Sequence, residues 1–561
     1  MYFPCGPTLH CKTPSLLLPT PHSLSLSVHQ SFVIPLQLDL SSAMSSINSQ
    51  SVVHTTEPSV TGSTSSLRET PYYGGASTES LVRRTLRTVK VCWLAFSDWL
   101  TDWTPPMLVA CYWVVCTSIF VMCSTQAIKV FYYFYMVVNL YIASCTAIES
   151  FLGMSPVREA RKAADKVDTS GGQFPSSDSD LPIMDMVMVA YLPNEKDIVI
   201  GQIMYALEEI VYPRDKLRIN LVYNTPRPIE PLETELRQLA DEYDQLRVVK
   251  VPNSTSKADN LNFFFTLGHT GADFTGIFDT DHLPHPYNVR WAAERFLKEK
   301  TKIDIVQGRC VVYNTSESFL AKMIAIEFDK IYAIAHPGRS RMFKFGLFCG
   351  SNGWWRSEVL RDLKMHGDML TEDIDSALRA YGSGKNAVHD MNVLSYELAP
   401  NTFAAFWKQR MRWTQGWTQA SVTHASLMWT NPPNGKRSKQ ERMGLFSLLF
   451  IRELSYYLVS QHTCLLISFI ITDFPHDLPS FVKLIFFRYA MAEWFLFLTI
   501  ACLAATLYFT DKVRSEFTSW KSMVAFSILY TPYLVLQSTM GLYGHARELV
   551  KYSSWNPTAR G

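Results

Sequence analysis

The stretch Phe274-Thr275-Gly276-Ile277-Phe278-Asp279-Thr280-Asp281-His282 decides how this chain is read. Its first five residues form a short apolar run, as expected of a strand buried on both faces. It ends in two carboxylates two residues apart. Similar runs stand upstream at Met186–Tyr191, Leu217–Tyr223 and Leu246–Val251, with helical spacing at Ile198–Ile210, Leu232–Tyr243 and Asp259–Leu267. Strand and helix alternating at this spacing predict an α/β domain with a mostly parallel sheet covered on both faces. Ligands of such sheets bind beyond the C-terminal ends of the strands. Asp279 and Asp281 fall at that edge.

Two carboxylates so close are costly to leave unpaired. A hard divalent cation, Mg2+ or Mn2+, satisfies them and also grips a diphosphate. An Asp-rich turn ahead of Pro284 and Pro286 accounts for them without one. Further on, Leu370-Thr371-Glu372-Asp373 precedes a helix that closes at Gly382-Ser383-Gly384. Thr371 is placed as its N-cap, and the helix dipole accounts for Glu372. Asp373, if turned toward the sheet edge, is a candidate general base. Gln409-Arg410-Met411-Arg412-Trp413 reads as an interfacial anchor, or as a site where Arg412 neutralises phosphate and Trp413 stacks on a sugar. Lys257 is a phosphate candidate or a solvated residue at a helix start.

The rest of the chain explains the setting. It has 561 residues with 52 basic and 50 acidic side chains, a net charge of +2, which argues against a nucleic-acid binder. Only 18% of residues are charged, against ~25% in soluble domains. The deficit is concentrated. Met107–Ser124, Leu454–Thr472, Trp494–Thr510 and Ser522–Gly544 carry no Asp, Glu, Lys or Arg, and Ala127–Ile148 carries only Lys129. Each can cross a ~30 Å hydrocarbon core as a helix. Arg83, Arg84, Arg87 and Lys90, then Arg158, Arg161 and Lys162, place both flanks of the first pair in the cytosol. Lys512, Arg514 and Lys521 do the same for the last loop, while Arg547, Lys551 and Arg560 conflict with an odd number of spans. The side of the C-terminus stays open.

The expected organisation follows. Residues 1–80, rich in Ser, Thr and Pro, read as a disordered tail, within which Met44 is an alternative start. Residues 81–150 are a basic flank and two membrane helices, and 151–184 a linker. Residues 185–440 are the catalytic domain. Residues 441–545 hold interfacial and about three membrane helices, and 546–561 a tail. The 11 cysteines show no CxxC and read as buried thiols. Asn253-Ser254-Thr255 and Asn314-Thr315-Ser316 match the N-glycosylation pattern and read as accidental in a cytosolic domain.

DxD, TED and QxxRW, in that order in one α/β domain bracketed by membrane helices, resemble the family 2 glycosyltransferases, among them the cellulose, hyaluronan and chitin synthases. Pro193-Asn194-Glu195, Ser256-Lys257-Ala258-Asp259-Asn260-Leu261-Asn262, Val306-Gln307-Gly308-Arg309 and Gly350-Ser351-Asn352 also fit. Trp555, Thr558 and Arg560 are faintly similar to the tail of those synthases. The resemblance covers about Met186 to Trp417 and implies a GT-A-like, Rossmann-type cytosolic domain flanked by transmembrane helices. It implies inverting transfer from a nucleotide sugar, expected to be a UDP-sugar, to a growing polysaccharide, coupled to export. A single addition to a membrane lipid is the alternative, and a transporter with a cytosolic regulatory domain a remote one. By the resemblance, Asp279 and Asp281 hold Mg2+ or Mn2+, Asp373 is the base, and Gln409, Arg412 and Trp413 complete the catalytic set. Asn194, Glu195, Asn224, Lys257, Asp279 and Arg309 would bind the nucleotide sugar, and Asn352, Glu372 and Trp413 the acceptor. One departure stands out: Val222-Tyr223-Asn224-Thr225 has Asn where the family usually has an Asp that helps bind uridine. The expected partners are the donor, the acceptor and a lipid bilayer, at the plasma membrane or Golgi. The sequence leaves the oligomeric state open.

Overall fold

The computed structural model describes residues 81–267, 271–298 and 303–551. The tail expected over 1–80 and the residues Trp555, Thr558 and Arg560 lie outside them.

Helices α1 (Leu81–Met122) and α2 (Thr125–Thr169) form the first apolar pair, and the Ser124 hydroxyl caps α2 by accepting from Ala127 N at 3.3 Å. The linker expected over 151–184 is corrected in its first half. Helix α2 runs on to Thr169 because residues 158–166 are rich in Ala, Lys, Arg and Glu, all strong helix formers. It stops where Gly171 and Gly172 take positive φ. This extension is fastened to the α/β domain by Asn392 Nδ2, which donates to Ala160 O at 3.0 Å, and the turn of α2 before it is fastened too. The Arg339 guanidinium donates to the Glu149 carboxylate at 3.2 and 3.3 Å, and the α2 backbone at Glu149 approaches Gly338 too closely to leave room for a side chain there.

The sheet then begins. In chain order its elements are β1 (Met184–Tyr191), α3 (Val199–Glu209), β2 (Leu217–Asn224), α4 (Leu232–Glu242), β3 (Leu246–Lys250), α5 (Lys257–Thr266) and β4 (Phe274–Asp279). There follow β5 (Leu283–Pro284), α6 (Asn288–Lys298), β6 (Ile305–Val312), α7 (Phe319–Lys330), α8 (His336–Phe343), β7 (Gly353–Arg356), α9 (Ser357–Leu363), α10 (Glu372–Gly382) and β8 (Ala387–Glu397). The spatial order is β3-β2-β1-β4-β7-β6-β8-β5. β3, β2, β1 and β4 are parallel, as are β6 and β8, while β7 runs antiparallel between β4 and β6. The expected α/β class with a mostly parallel sheet therefore holds, with antiparallel insertions at β7 and β5. Because β7 is reversed, the chain entering it at 350–352 meets the same edge as the ends of β1, β2 and β4. Met184, Met186 and Met188 fill one face of the sheet with Phe278 and Trp354, and Val187, Val189 and Trp355 the other. Burying a Phe278-sized side chain contributes about 1.5–3 kcal/mol.

After the sheet come α11 (Phe403–Thr423), α12 (Lys439–Phe446), α13 (Arg452–Thr472), α14 (Leu478–Phe486), α15 (Ala492–Val513) and α16 (Trp520–Leu549). Ser438 and Glu441 close a capping box at the start of α12. Among the described residues, five helical stretches are long and apolar enough to cross a membrane: two before the sheet and three after it, at 439–472, 492–513 and 520–549. Trp494 and Phe497 lie more than half exposed on α15.

Candidate active site

The ends of β1, β2 and β4, the turn at 349–351 and the helices α5, α10 and α11 enclose a cavity of about 620 Å³. Thr280, between the two aspartates, is buried and donates its hydroxyl to Val189 O at 2.9 Å. Pinned there, the turn presents Asp279 and Asp281 to the cavity. Ligand atoms of Asp279, Asp281 and His282 lie within 4.8 Å of one another. Two carboxylates with open space beside them form an oxygen donor set that suits a hard divalent cation. His282 was missed as a lining residue. Its Nε2 lies 3.1 Å from Glu397 Oε2; burial would lower its pKa, but Cys310 and Glu397 raise it to about 10.

Lys257 starts α5, whose N-cap Ser256 accepts from Asp259 N at 3.1 Å. Its ammonium donates to Asp279 Oδ1 at 2.6 Å and to Gly350 O at 2.7 Å. The reading of Lys257 as a solvated residue is thereby set aside. Burial would lower its pKa, but Asp279, Glu372 and Asp373 raise it above the ordinary lysine value. Asn224, at the end of β2, is buried in the lining and held on both sides of its amide. It donates to Ser254 O at 3.0 Å and accepts from Asn260 Nδ2 at 2.9 Å. Glu195 also lines the cavity, accepting from Tyr191 N at 2.8 Å.

Glu372 and Asp373 occupy the first turn of α10, facing the cavity. Thr371 stands at the N-cap position, but its side chain makes no capping bond, which corrects the expectation. Gly416 of α11 packs against it so closely that a Cβ there would lie 2.5 Å from Thr371 Cγ2. The Thr371 hydroxyl oxygen is left buried in the cavity wall without a hydrogen-bond partner. Burial, with the charge of Glu372 beside it, pushes the Asp373 carboxyl up to about 7, against the pull of Lys257. Two residues on, Asp375 is buried and receives His424 Nε2 at 2.8 Å, Arg379 Nε at 2.8 Å and His366 Nδ1 at 3.0 Å. His424 caps the C-terminus of α11, so this contact ties α10 to α11.

Gln409, Arg412 and Trp413 fall at i, i+3 and i+4 of α11 and share one face, which lines the cavity. Arg412 donates to Leu370 O at 3.2 Å, just ahead of the Thr371–Asp373 segment. The Arg410 guanidinium lies 4.5 Å from the Trp413 ring centre and donates to Glu327 at 2.6 Å. Gln409 Oε1 is another buried acceptor without a partner.

From Trp413 the cavity continues between α7, α13 and α16. That arm carries Glu327, Lys330, Tyr456, Tyr530, Tyr533 and Gln537. Lys330 donates to Tyr530 OH at 3.1 Å, and Gln537 to Glu327 at 3.1 Å and Tyr533 OH at 2.9 Å. Arg452 lies 4.2 Å from the Trp417 ring centre and is paired with Glu453. Tyr530, Tyr533 and Gln537 were missed as site residues because the α16 sequence reads only as an uncharged apolar run.

Three expected site residues lie outside the cavity. Arg309 is corrected: its guanidinium binds Asp329 at 2.7 Å and Val513 O at 2.8 Å, behind the site. Asn352 is also corrected. Fully buried at φ 53°, it donates to Arg309 O and Val393 O and accepts from Asn288, so it braces β6 and β8 rather than meeting an acceptor. Asn194 stands beside Glu195 but does not line the cavity. Asn314, in the second glycosylation-like pattern, is buried and bonds Ala399 O at 2.9 Å.

Residues 276–510 match the family model described as Glycosyl transferase family group 2. The chain is 26% identical over 234 residues to "Probable glycosyltransferase YdaM" of Bacillus subtilis (strain 168), covering 41% of this chain and 54% of that one. It is 26% identical over 213 residues to "Probable glucomannan 4-beta-mannosyltransferase 7" of Oryza sativa subsp. japonica, covering 37% and 36%. It is 30% identical over 145 residues to "Glucomannan 4-beta-mannosyltransferase 1" of Cyamopsis tetragonoloba, covering 26% and 27%. The chain thus spans about half, or less, of the length of these relatives. Among solved structures it is similar to the "Mannosyltransferase PcManGT from Pyrobaculum calidifontis in complex with GDP-Man and Mn2+", with a TM-score of 0.42 and 16% identity over 66% of this chain and 98% of that one.

Proposed function

We propose, from the match of residues 276–510 to the model of glycosyl transferase family group 2, that this protein is a membrane-bound inverting glycosyltransferase that extends a polysaccharide from a nucleotide sugar. The observation that carries the reading is that Asp279, Asp281, Asp373 and Arg412 line one cavity, and that this cavity continues among the apolar C-terminal helices.

Asp279 and Asp281 are the residues that would hold Mg2+ or Mn2+. Such an ion stabilises the charge that develops on a nucleoside diphosphate leaving group. Lys257 and Arg412 neutralise the same diphosphate from either side. Asp373 accepts the proton of the acceptor hydroxyl as its oxygen bonds the anomeric carbon and the bond from that carbon to the diphosphate breaks. A carboxyl with a pKa of about 7 is suited to this exchange near neutral pH. Trp413 offers a ring face for the acceptor sugar, and Thr371 and Gln409 offer polar atoms that have no protein partner.

The arm beyond Trp413 favours a sugar polymer over a lipid acceptor. Tyrosines, Gln537 and the Glu327–Arg410 pair suit hydroxylated rings, whereas an acyl chain calls for aliphatic walls. The donor is a nucleotide sugar, taken first as a UDP-sugar. The names of the plant relatives support testing mannosyl transfer, and the uncharged amide at Asn224 supports testing a second nucleotide class, the GDP-sugars, beside it. Incubation with labelled UDP- and GDP-sugars, with products separated by size, tests the proposal. High-molecular-weight product supports it, and a small lipid-extractable product moves the assignment to glycolipid synthesis.

A further inference from the structure

Helix α1 is longer than a membrane crossing requires. Its 42 residues extend about 63 Å, whereas a hydrocarbon core takes about 20 residues. The apolar stretch runs over Cys92–Met122, 31 residues, which is longer than a crossing takes, and its uncharged end from Met107 on is completed by the turn before it, from Trp103. Residues 81–102 therefore exceed the crossing, yet they are not a polar extension.

Val89, Trp93, Phe96, Leu100 and Trp103 follow one another at steps of four and three residues, the spacing of a single helix face. All five are substantially exposed. The rings form a ladder along the helix: Trp93–Phe96 at 6.2 Å, Phe96–Trp99 stacked at 5.9 Å, and Trp99–Trp103 at 6.3 Å between centres. The same period sets positions 83, 87, 90, 98 and 101 (Arg, Arg, Lys, Asp and Thr) on the opposite face. Lys90 and Trp103 bound a stretch in which no described side chain is buried. Pro105 and Pro106 sit where this segment meets the apolar run. Two missing backbone donors make that junction the place where the helix bends most easily.

We propose that residues 81–102 are an interfacial anchor that lies on the cytosolic surface of the bilayer, its Trp and Phe rings at the headgroup boundary and its basic end among anionic headgroups. A face of Trp, Phe and Leu opposite a basic face is the composition of helices that lie in the interface plane. Continuity with the crossing keeps the segment at the membrane surface. Arg83, Arg84, Arg87 and Lys90, within three turns, match the negative charge of the cytosolic leaflet. The proposal rests on the reading of 103–122 as a membrane span.

The test uses the full chain in nanodiscs, with an environment-sensitive fluorescent amino acid placed singly at positions 96, 100, 98, 101 and 114. Lipids carry a quencher at a shallow or a deep acyl position. The anchor predicts shallow quenching at 96 and 100 at least about twofold above that at 98 and 101. It also predicts that anionic lipid increases this quenching, and that changing Arg83, Arg84, Arg87 and Lys90 together to Gln removes the increase. Position 114 should respond to the deep quencher. Equal, weak quenching at 96, 98, 100 and 101 with strong deep quenching at 114 would overturn the anchor and leave the span standing. Shielding of 96 and 100 without lipid quenching, accompanied by crosslinks between copies, would assign the face to a second copy instead. Absence of deep quenching at 114 would remove the span and the anchor together.

Discussion

Lys257 Nζ lies 2.6 Å from Asp279 Oδ1, so an ammonium already occupies one side of the carboxylate pair that a divalent cation would use. The same lysine is placed to meet the donor diphosphate. Lys257→Met should therefore act in opposite directions on two constants. The donor KM should rise by about 10- to 100-fold, the equivalent of a charge-assisted hydrogen bond of about 1.5–3 kcal/mol. The Mn2+ concentration for half-maximal activity should fall, because the competing charge is gone. Metal titrations at saturating donor check the second effect, and a rise there would contradict it.

Asp373 titrates where a base is useful. With its carboxyl at about 7, the group is protonated below that pH and cannot accept the acceptor's proton, so kcat should fall on the acid side. A bound divalent cation stabilises the carboxylate and moves this limb to lower pH. Asp373→Asn should lower kcat by about 10²- to 10⁴-fold while donor binding, measured by calorimetry, is retained.

Gly350 tests the placement of that base. Its φ is +93°, and a Cβ built there would lie 2.9 Å from Asp373 Oδ2. Gly350→Ala should displace Asp373 and reduce kcat at least tenfold. Strain at this φ costs only about 1–2 kcal/mol of stability, so the variant should still fold. A melting temperature near that of the parent with lost turnover is the expected pair of results.

Asp375 joins the two motif helices through His424. Burial would raise its pKa, and His424 and Arg379 hold it below the usual carboxylate range. The stabilisation it supplies is present above the unfolded value of about 4 and is lost as pH falls through the lower folded value. Asp375→Ala, which leaves His424 and Arg379 without their acceptor, should cost about 3–5 kcal/mol. His424→Ala should cost less and should lower kcat with donor KM unchanged. Denaturant melts and steady-state kinetics on the two variants check this.

Arg309 separates position from sequence. Since Asp329 and Val513 O hold its guanidinium away from the cavity, Arg309→Gln should lower thermal stability and leave donor KM within about twofold, as for a group that makes no donor contact. A large rise in KM would return Arg309 to the phosphate site.

The residues that sequence reading placed well are those whose position follows from local period. Asp279 ends an apolar run, and a parallel strand delivers its end to the ligand edge. Gln409, Arg412 and Trp413 repeat at helical spacing, so they had to share a face. What could not be read depends on neighbours far along the chain. A register shift between Gly308 and Arg309 breaks the alternation of β6, and the arginine reaches Asp329 on a helix that follows the strand. Thr371 makes no capping bond and packs instead against Gly416, 45 positions later. Tyr533 and Gln537 sit in an apolar stretch of sequence, and only packing against α7 and α13 turns them into a cavity wall. Residues 158–169 kept their helix because propensity outweighed the loop-like composition that follows.

The central claim is polymer synthesis with Asp373 as base, and one measurement addresses it most directly. The purified chain in nanodiscs with Mn2+ is incubated with labelled UDP- and GDP-sugars beside the Asp373→Asn variant, and products are resolved by size. The account predicts labelled high-molecular-weight material from one donor, absent with Asp373→Asn. Labelled polymer from the variant at the parent rate, or no transfer from any donor by folded parent protein, would contradict it.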